Sequence, residues 1–146
     1  MLIDKSIKDL IPHRPPFLWV DEIIERSDDS IVAEKLIPED LDVFKGHYPE
    51  HPLMPGVLIC EAIFQTGALL LSNLLHNKPA ELGQKIPVLT KITGARFKRQ
   101  VRPGDTVRMS VKLVETVSSV CLLKGTASVN GKVAVKTEFS CALVSA

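Results

Sequence analysis

The chain has 146 residues, 45% of them hydrophobic and 24% charged, which suits one folded domain and excludes an intrinsically disordered one. With 18 basic and 17 acidic residues the charges nearly cancel, so nothing global argues for nucleic acid or an anionic membrane as partner. Three separated cysteines, Cys60, Cys121 and Cys141, read as reduced core thiols, and residues 1–16 lack the basic and apolar regions of a secretory signal. A cytoplasmic location is the expectation.

Taken in chain order, Ser6 to Leu10 is predicted to be a short helix, and an apolar run follows from Phe17 to Ile24. Ser30 to Ile37 alternates like a strand and stops at Pro38 and the acidic pair Glu39-Asp40. Phe44 to Pro55 holds Pro49, Pro52 and Pro55 together with His47, His51 and Gly46. Prolines push the residues before them out of helical conformation, so this loop is predicted to be extended and partly rigid.

A long helix is predicted from Pro55 to about His76, with Pro79 blocking its extension. Leu53 to Leu75 is apolar enough to raise the question of a membrane span. Glu61, Gln65, Thr66, Ser72 and Asn73 interrupt it. A helix buried inside a soluble domain is the better reading. The strands predicted to follow are Lys91 to Val101, Asp105 to Val117, Val120 to Val129 and Lys132 to Leu143. Pro103-Gly104-Asp105 and Asn130-Gly131 supply turns. Hairpins after one very apolar helix predict an α+β fold, an antiparallel sheet curled around that helix, as a single domain over residues 1–146.

On the helical wheel, Gln65, Ala68 and Ser72 fall within about 40° of Glu61. The rest of the circumference is mainly Leu, Ile, Val, Ala and Phe. A carboxylate there is costly to ionise, so its protonated form is favoured, which makes Glu61 a candidate general acid. A glutamate that merely reaches solvent or a lysine is an equally good reading of the helix alone. His47, held among prolines just before that helix, is a candidate base, although a lone loop histidine is more often a surface residue. Gly56 and Val57 place free N–H groups at the positive end of the helix, where a carbonyl oxygen gaining charge would be stabilised. Base, oxyanion donor and acid together fit proton removal next to a thioester carbonyl and loss of a hydroxyl. His47, Glu50, His51 and Glu61 are a poor metal set, because Pro49 and Pro52 keep the two histidines off any common helical face.

Residues 44–65, FKGHYPEHPLMPGVLICEAIFQ, resemble the bacterial 3-hydroxyacyl-[acyl carrier protein] dehydratases of hot-dog fold. IPHRPPFLWVD at 11–21, ARFKR at 95–99 and VRPGD at 101–105 extend the resemblance along nearly the whole chain. It implies a long helix wrapped by a curved antiparallel sheet. It also implies a homodimer, able to form a hexamer as a trimer of dimers, in which His47 of one subunit meets Glu61 of the other. His47 would then take the α-carbon proton, Glu61 steadied by Gln65 would assist loss of the 3-hydroxyl, and the Gly56 N–H would hold the thioester carbonyl. The substrate would arrive on the phosphopantetheine arm of acyl carrier protein, with no further cofactor and no metal. Phe64, bulkier than the usual Ala, reads as core filling, and His13 and Arg14 read as structural.

Acyl carrier protein is acidic, so a basic docking patch is expected. If residues 95–102 form a strand, Arg96, Lys98 and Arg102 share one face and are the docking candidates. An acyl thioesterase, an enoyl hydratase and a non-catalytic acyl-binding subunit of the same fold are the alternatives.

Overall fold

In the computed structural model, residues 6–76 and 85–145 are described. Six strands form a single antiparallel sheet: β1 (Glu22–Arg26), β2 (Ser30–Leu36), β3 (Lys85–Phe97), β4 (Thr106–Val117), β5 (Val120–Val129) and β6 (Lys132–Ser145). Their order across the sheet is β1-β2-β4-β5-β6-β3, so β1 and β3 are its edges. Helix α1 (Ile7–Leu10) is a single turn, and α2 (Gly56–His76) is the long element about which the sheet is organised.

Side-chain alternation selects the inner face of the sheet. Val107, Met109 and Val111 on β4 and Cys121, Leu123 and Ala127 on β5 are buried, while Arg108, Lys112 and Lys124 point outward. Their inner faces meet Ile63, Leu69, Leu70 and Leu71 of α2, all nearly inaccessible. By length and composition α2 is capable of crossing a membrane, yet 78% of its apolar window is buried inside the protein. That burial is what its apolar circumference serves. At the β5–β6 hairpin, Asn130 (φ 52°) and Gly131 (φ 79°) take the left-handed conformations that a two-residue turn demands. This is the expected α+β hot-dog arrangement.

The strand boundaries differ from expectation at β3. It begins at Lys85, ahead of the predicted Lys91, with Pro87 inside it and paired in register with Leu143. An edge strand can lack an N–H on its outer side, so proline is tolerated there. The strand also ends earlier, at Phe97. The Lys98 and Arg99 amides both donate to the Ala134 carbonyl (2.7 and 3.3 Å), and the Met54 amide donates to Val101 O (2.8 Å). These bonds turn residues 98–101 away from the strand and tie them to the loop before α2. Pro79, the predicted stop of the long helix, lies outside the described residues.

Candidate active site

The loop before α2 is anchored by a 3₁₀ turn at Asp42–Lys45, which buries Phe44. Tyr48 then adopts φ 60°, unusual for a side chain with a Cβ and of the kind found at functional turns. Its carbonyl accepts from the His51 amide (2.8 Å), closing the turn. The turn presents His47, whose Nδ1 lies 2.9 Å from the Leu53 carbonyl. A carbonyl can only accept, so Nδ1 carries the proton and Nε2 keeps its lone pair. The Tyr48 ring, 4.7 Å from the imidazole centroid, backs the histidine on one side. His47 is thus prepared as a base.

At the start of α2 the Pro55 carbonyl accepts from the amides of Leu58 (3.0 Å) and Ile59 (3.2 Å). The Gly56 and Val57 amides precede the first intrahelical donors and remain open. No acidic residue stands in the first turn, so the helix itself does not neutralise its positive end. Glycine at 56 has a steric reason: a Cβ there would lie 2.6 Å from Cε1 of Phe97, whose ring at the end of β3 covers the helix start.

One turn further on, Glu61 and Gln65 share a face of α2. Gln65 is almost wholly buried, and its amide orientation is dictated on both sides. Its Oε1 accepts the Trp19 N–H (2.8 Å), and its Nε2 donates to Phe17 O (2.9 Å) and to Glu61 Oε2 (3.1 Å). Ser72, two turns along, donates to Leu10 O (2.8 Å). The polar stripe of the helix is therefore met by the backbone of residues 10–19. Glu61 itself is partly open, with 22% of its side chain exposed.

That same N-terminal segment brings His13 to the site. Its Nε2 lies 3.7 Å from Glu61 Oε2. Spacing in the sequence carried no signal for this, since nothing there tells that residues 10–19 run along α2. Arg14 is structural as expected: its guanidinium donates to the carbonyls of Ile11 (2.9 Å), His13 (2.7 Å) and Lys8 (2.9 Å). Phe64 is buried against Phe139, with ring centroids 4.8 Å apart, and fills core as expected.

Within one chain, among the described residues, no hydrogen bond or ion pair joins His47 to Glu61. No three His, Cys, Asp or Glu side chains among the described residues come together as a metal site. The expected docking trio does not form one face. Arg96 lies on β3, whereas Lys98 and Arg102 follow the end of that strand, where alternation no longer holds. Arg102 donates to Gln100 Oε1 (2.8 Å) beside the Pro103-Gly104 turn. Arg96 instead shares a groove of about 800 Å³ across the outer sheet face with Lys112, Lys124 and Lys136.

A family model for the FabA-like domain matches residues 11–138. The chain belongs to the FabA-like family. The matched range of this FabA-like chain takes in His13, His47, Gly56, Glu61 and Gln65. A 3-hydroxyacyl-[acyl-carrier-protein] dehydratase FabZ of Clostridium perfringens is 41% identical over 98% of this chain and 99% of that protein. The FabZ of Oceanobacillus iheyensis is 40% identical with the same two coverages. Among solved structures, the dehydratase heterocomplex ApeI:P from Xenorhabdus doucetiae superposes with a TM-score of 0.77 at 18% identity, covering 94% of this chain and 90% of that one. A hypothetical thioesterase with coenzyme A from Streptococcus pneumoniae gives 0.66 at 13% identity, covering 85% of each chain. At such identities the two structures support the hot-dog fold alone.

Proposed function

We propose that this chain dehydrates (3R)-3-hydroxyacyl-[acyl carrier protein] to trans-2-enoyl-[acyl carrier protein] in acyl-chain biosynthesis. The observation that carries it is the complementary preparation of two groups on a FabZ-like chain. His47 presents a bare Nε2, while Glu61 is a half-buried carboxyl steadied by Gln65. His47 Nε2 takes the α-carbon proton, and charge builds on the thioester oxygen, where the Gly56 and Val57 amides receive it. Glu61 gives its proton to the departing 3-hydroxyl, which leaves as water as the double bond forms. The acyl group travels on the phosphopantetheine arm of the carrier protein, and the side chains named here need neither metal nor redox cofactor for these steps.

The active unit in this proposal is a homodimer, with His47 of one subunit facing Glu61 of the other, and three such dimers can assemble into a hexamer. The motive for it is the exposed β3 edge, whose last residue, Phe97, already borders Gly56. The cytoplasm, where acyl carrier protein is charged and used, is the proposed location. Carrier docking is assigned to the outer groove, where Arg96, Lys112 and Lys136 stand beside the Lys124–Glu138 pair (3.5 Å), in place of the trio with Lys98 and Arg102.

Incubation with a 3-hydroxyacyl thioester of the carrier, following enoyl absorbance and free thiol together, tests the reaction. Enoyl product without free thiol is expected, and His47→Ala or Glu61→Ala should each slow it by at least about a hundredfold. Free thiol without enoyl product would instead mark a thioesterase, and an untouched substrate a binding subunit.

A further inference from the structure

We infer that His13 is a positioning residue for Glu61, and that together with Gln65 it gives the two carboxyl oxygens different roles. This rests on the dehydratase reading and adds to it which oxygen carries the acid proton. Gln65 cannot reverse its amide, because Trp19 N–H requires an acceptor and Phe17 O requires a donor. Its Nε2 must therefore donate to Glu61 Oε2, and His13 Nε2 approaches that same oxygen at 3.7 Å. Two groups converge on Oε2, so in the protonated carboxyl Oε2 is the accepting oxygen and the proton sits on Oε1. Oε1 is then the oxygen left to give its proton to the substrate.

The tautomer of His13 follows from its other nitrogen. Nδ1 is buried and has no hydrogen-bond partner among the described residues. A buried N–H without an acceptor costs more than a buried lone pair, so the proton belongs on Nε2, facing Glu61. The ring is held in this place by Arg14, which binds the carbonyl of His13 and two others of the same segment. The opening motif thus reaches the reaction through Glu61 without touching substrate.

Two substitutions separate this role from simple packing. His13→Leu keeps the volume and removes the donor, whereas His13→Gln places an amide nitrogen close to where Nε2 lies. The expected result is a kcat about tenfold lower for His13→Leu with KM within about twofold, and recovery of most of that loss in His13→Gln. Nitrogen-15 NMR of the unmodified protein supplies a readout that no folding defect can obscure. It should show His13 with a protonated Nε2 and a bare Nδ1. A wild-type rate in His13→Leu, equal losses in both variants, or a protonated Nδ1 would overturn the assignment while leaving the dehydratase reading intact. An unmodified protein that forms no enoyl product would overturn both.

Discussion

A single bond decides what His47 can do, and similar residue-scale accounting applies to the thiols. Cys60, Cys121 and Cys141 are all buried and free, and Cys121 and Cys141 face each other in register across β5 and β6. Burial pushes the Cys141 thiol up to about 12, with Cys121 adding to it, and burial also raises Cys60 and Cys121. In the unfolded chain a thiol ionises at about 8.5. Groups raised on folding contribute stability below that value and lose it as the pH climbs toward the folded one. The urea midpoint of the protein should therefore fall with rising pH above about 8.5, and less steeply in Cys141→Ala. Parallel curves for the two proteins would contradict this account. The core position of these thiols was legible from their apolar neighbours, as was His47 from its prolines and Gly46. His13 was not, because its nearness to Glu61 depends on where residues 10–19 run, which no local pattern encodes.

At the scale of elements, the helix and sheet meet through residues chosen for absence of bulk. A Cβ on Gly125 of β5 would collide with Ile63 Cγ2 of α2 and come within 3.3 Å of Val111 Cγ2. Gly67 answers from the helix side, where a Cβ would lie 2.9 Å from the Phe139 ring. Gly125→Ala should destabilise the protein by about 1–3 kcal/mol through overpacking, measured by urea unfolding. An unchanged midpoint would mean that α2 shifts freely on the sheet. Elements with one buried face were easy to read: β5 spans Val120–Val129 as expected, and α2 follows its apolar pattern to His76. β3 was misjudged at both ends for the opposite reason. Every residue from Val88 to Phe97 is exposed, so no inside-outside period marks it. The shared strand face assumed for the docking trio went with that misjudged end.

For the molecule as a whole, β3 is an anomaly that a lone chain leaves unexplained. It is a long edge strand with Val88, Leu89, Ile92 and Phe97 open to solvent, the kind of edge that pairs with another chain unless covered. In the proposed homodimer a second copy of the chain on this edge would cover the apolar residues and bring its own loop and helix start near Phe97 and Gly56. Replacing Leu89 and Ile92 together by Glu would place charge on both without disturbing the buried core, since neither is buried in the single chain. The variant should sediment as a folded monomer and lose dehydration by about a hundredfold or more, although His47 and Glu61 remain in place. A variant that stays oligomeric would show that the subunits meet elsewhere. A monomer with full activity would show that His47 and Glu61 of one chain suffice, because a site divided between subunits cannot survive their separation.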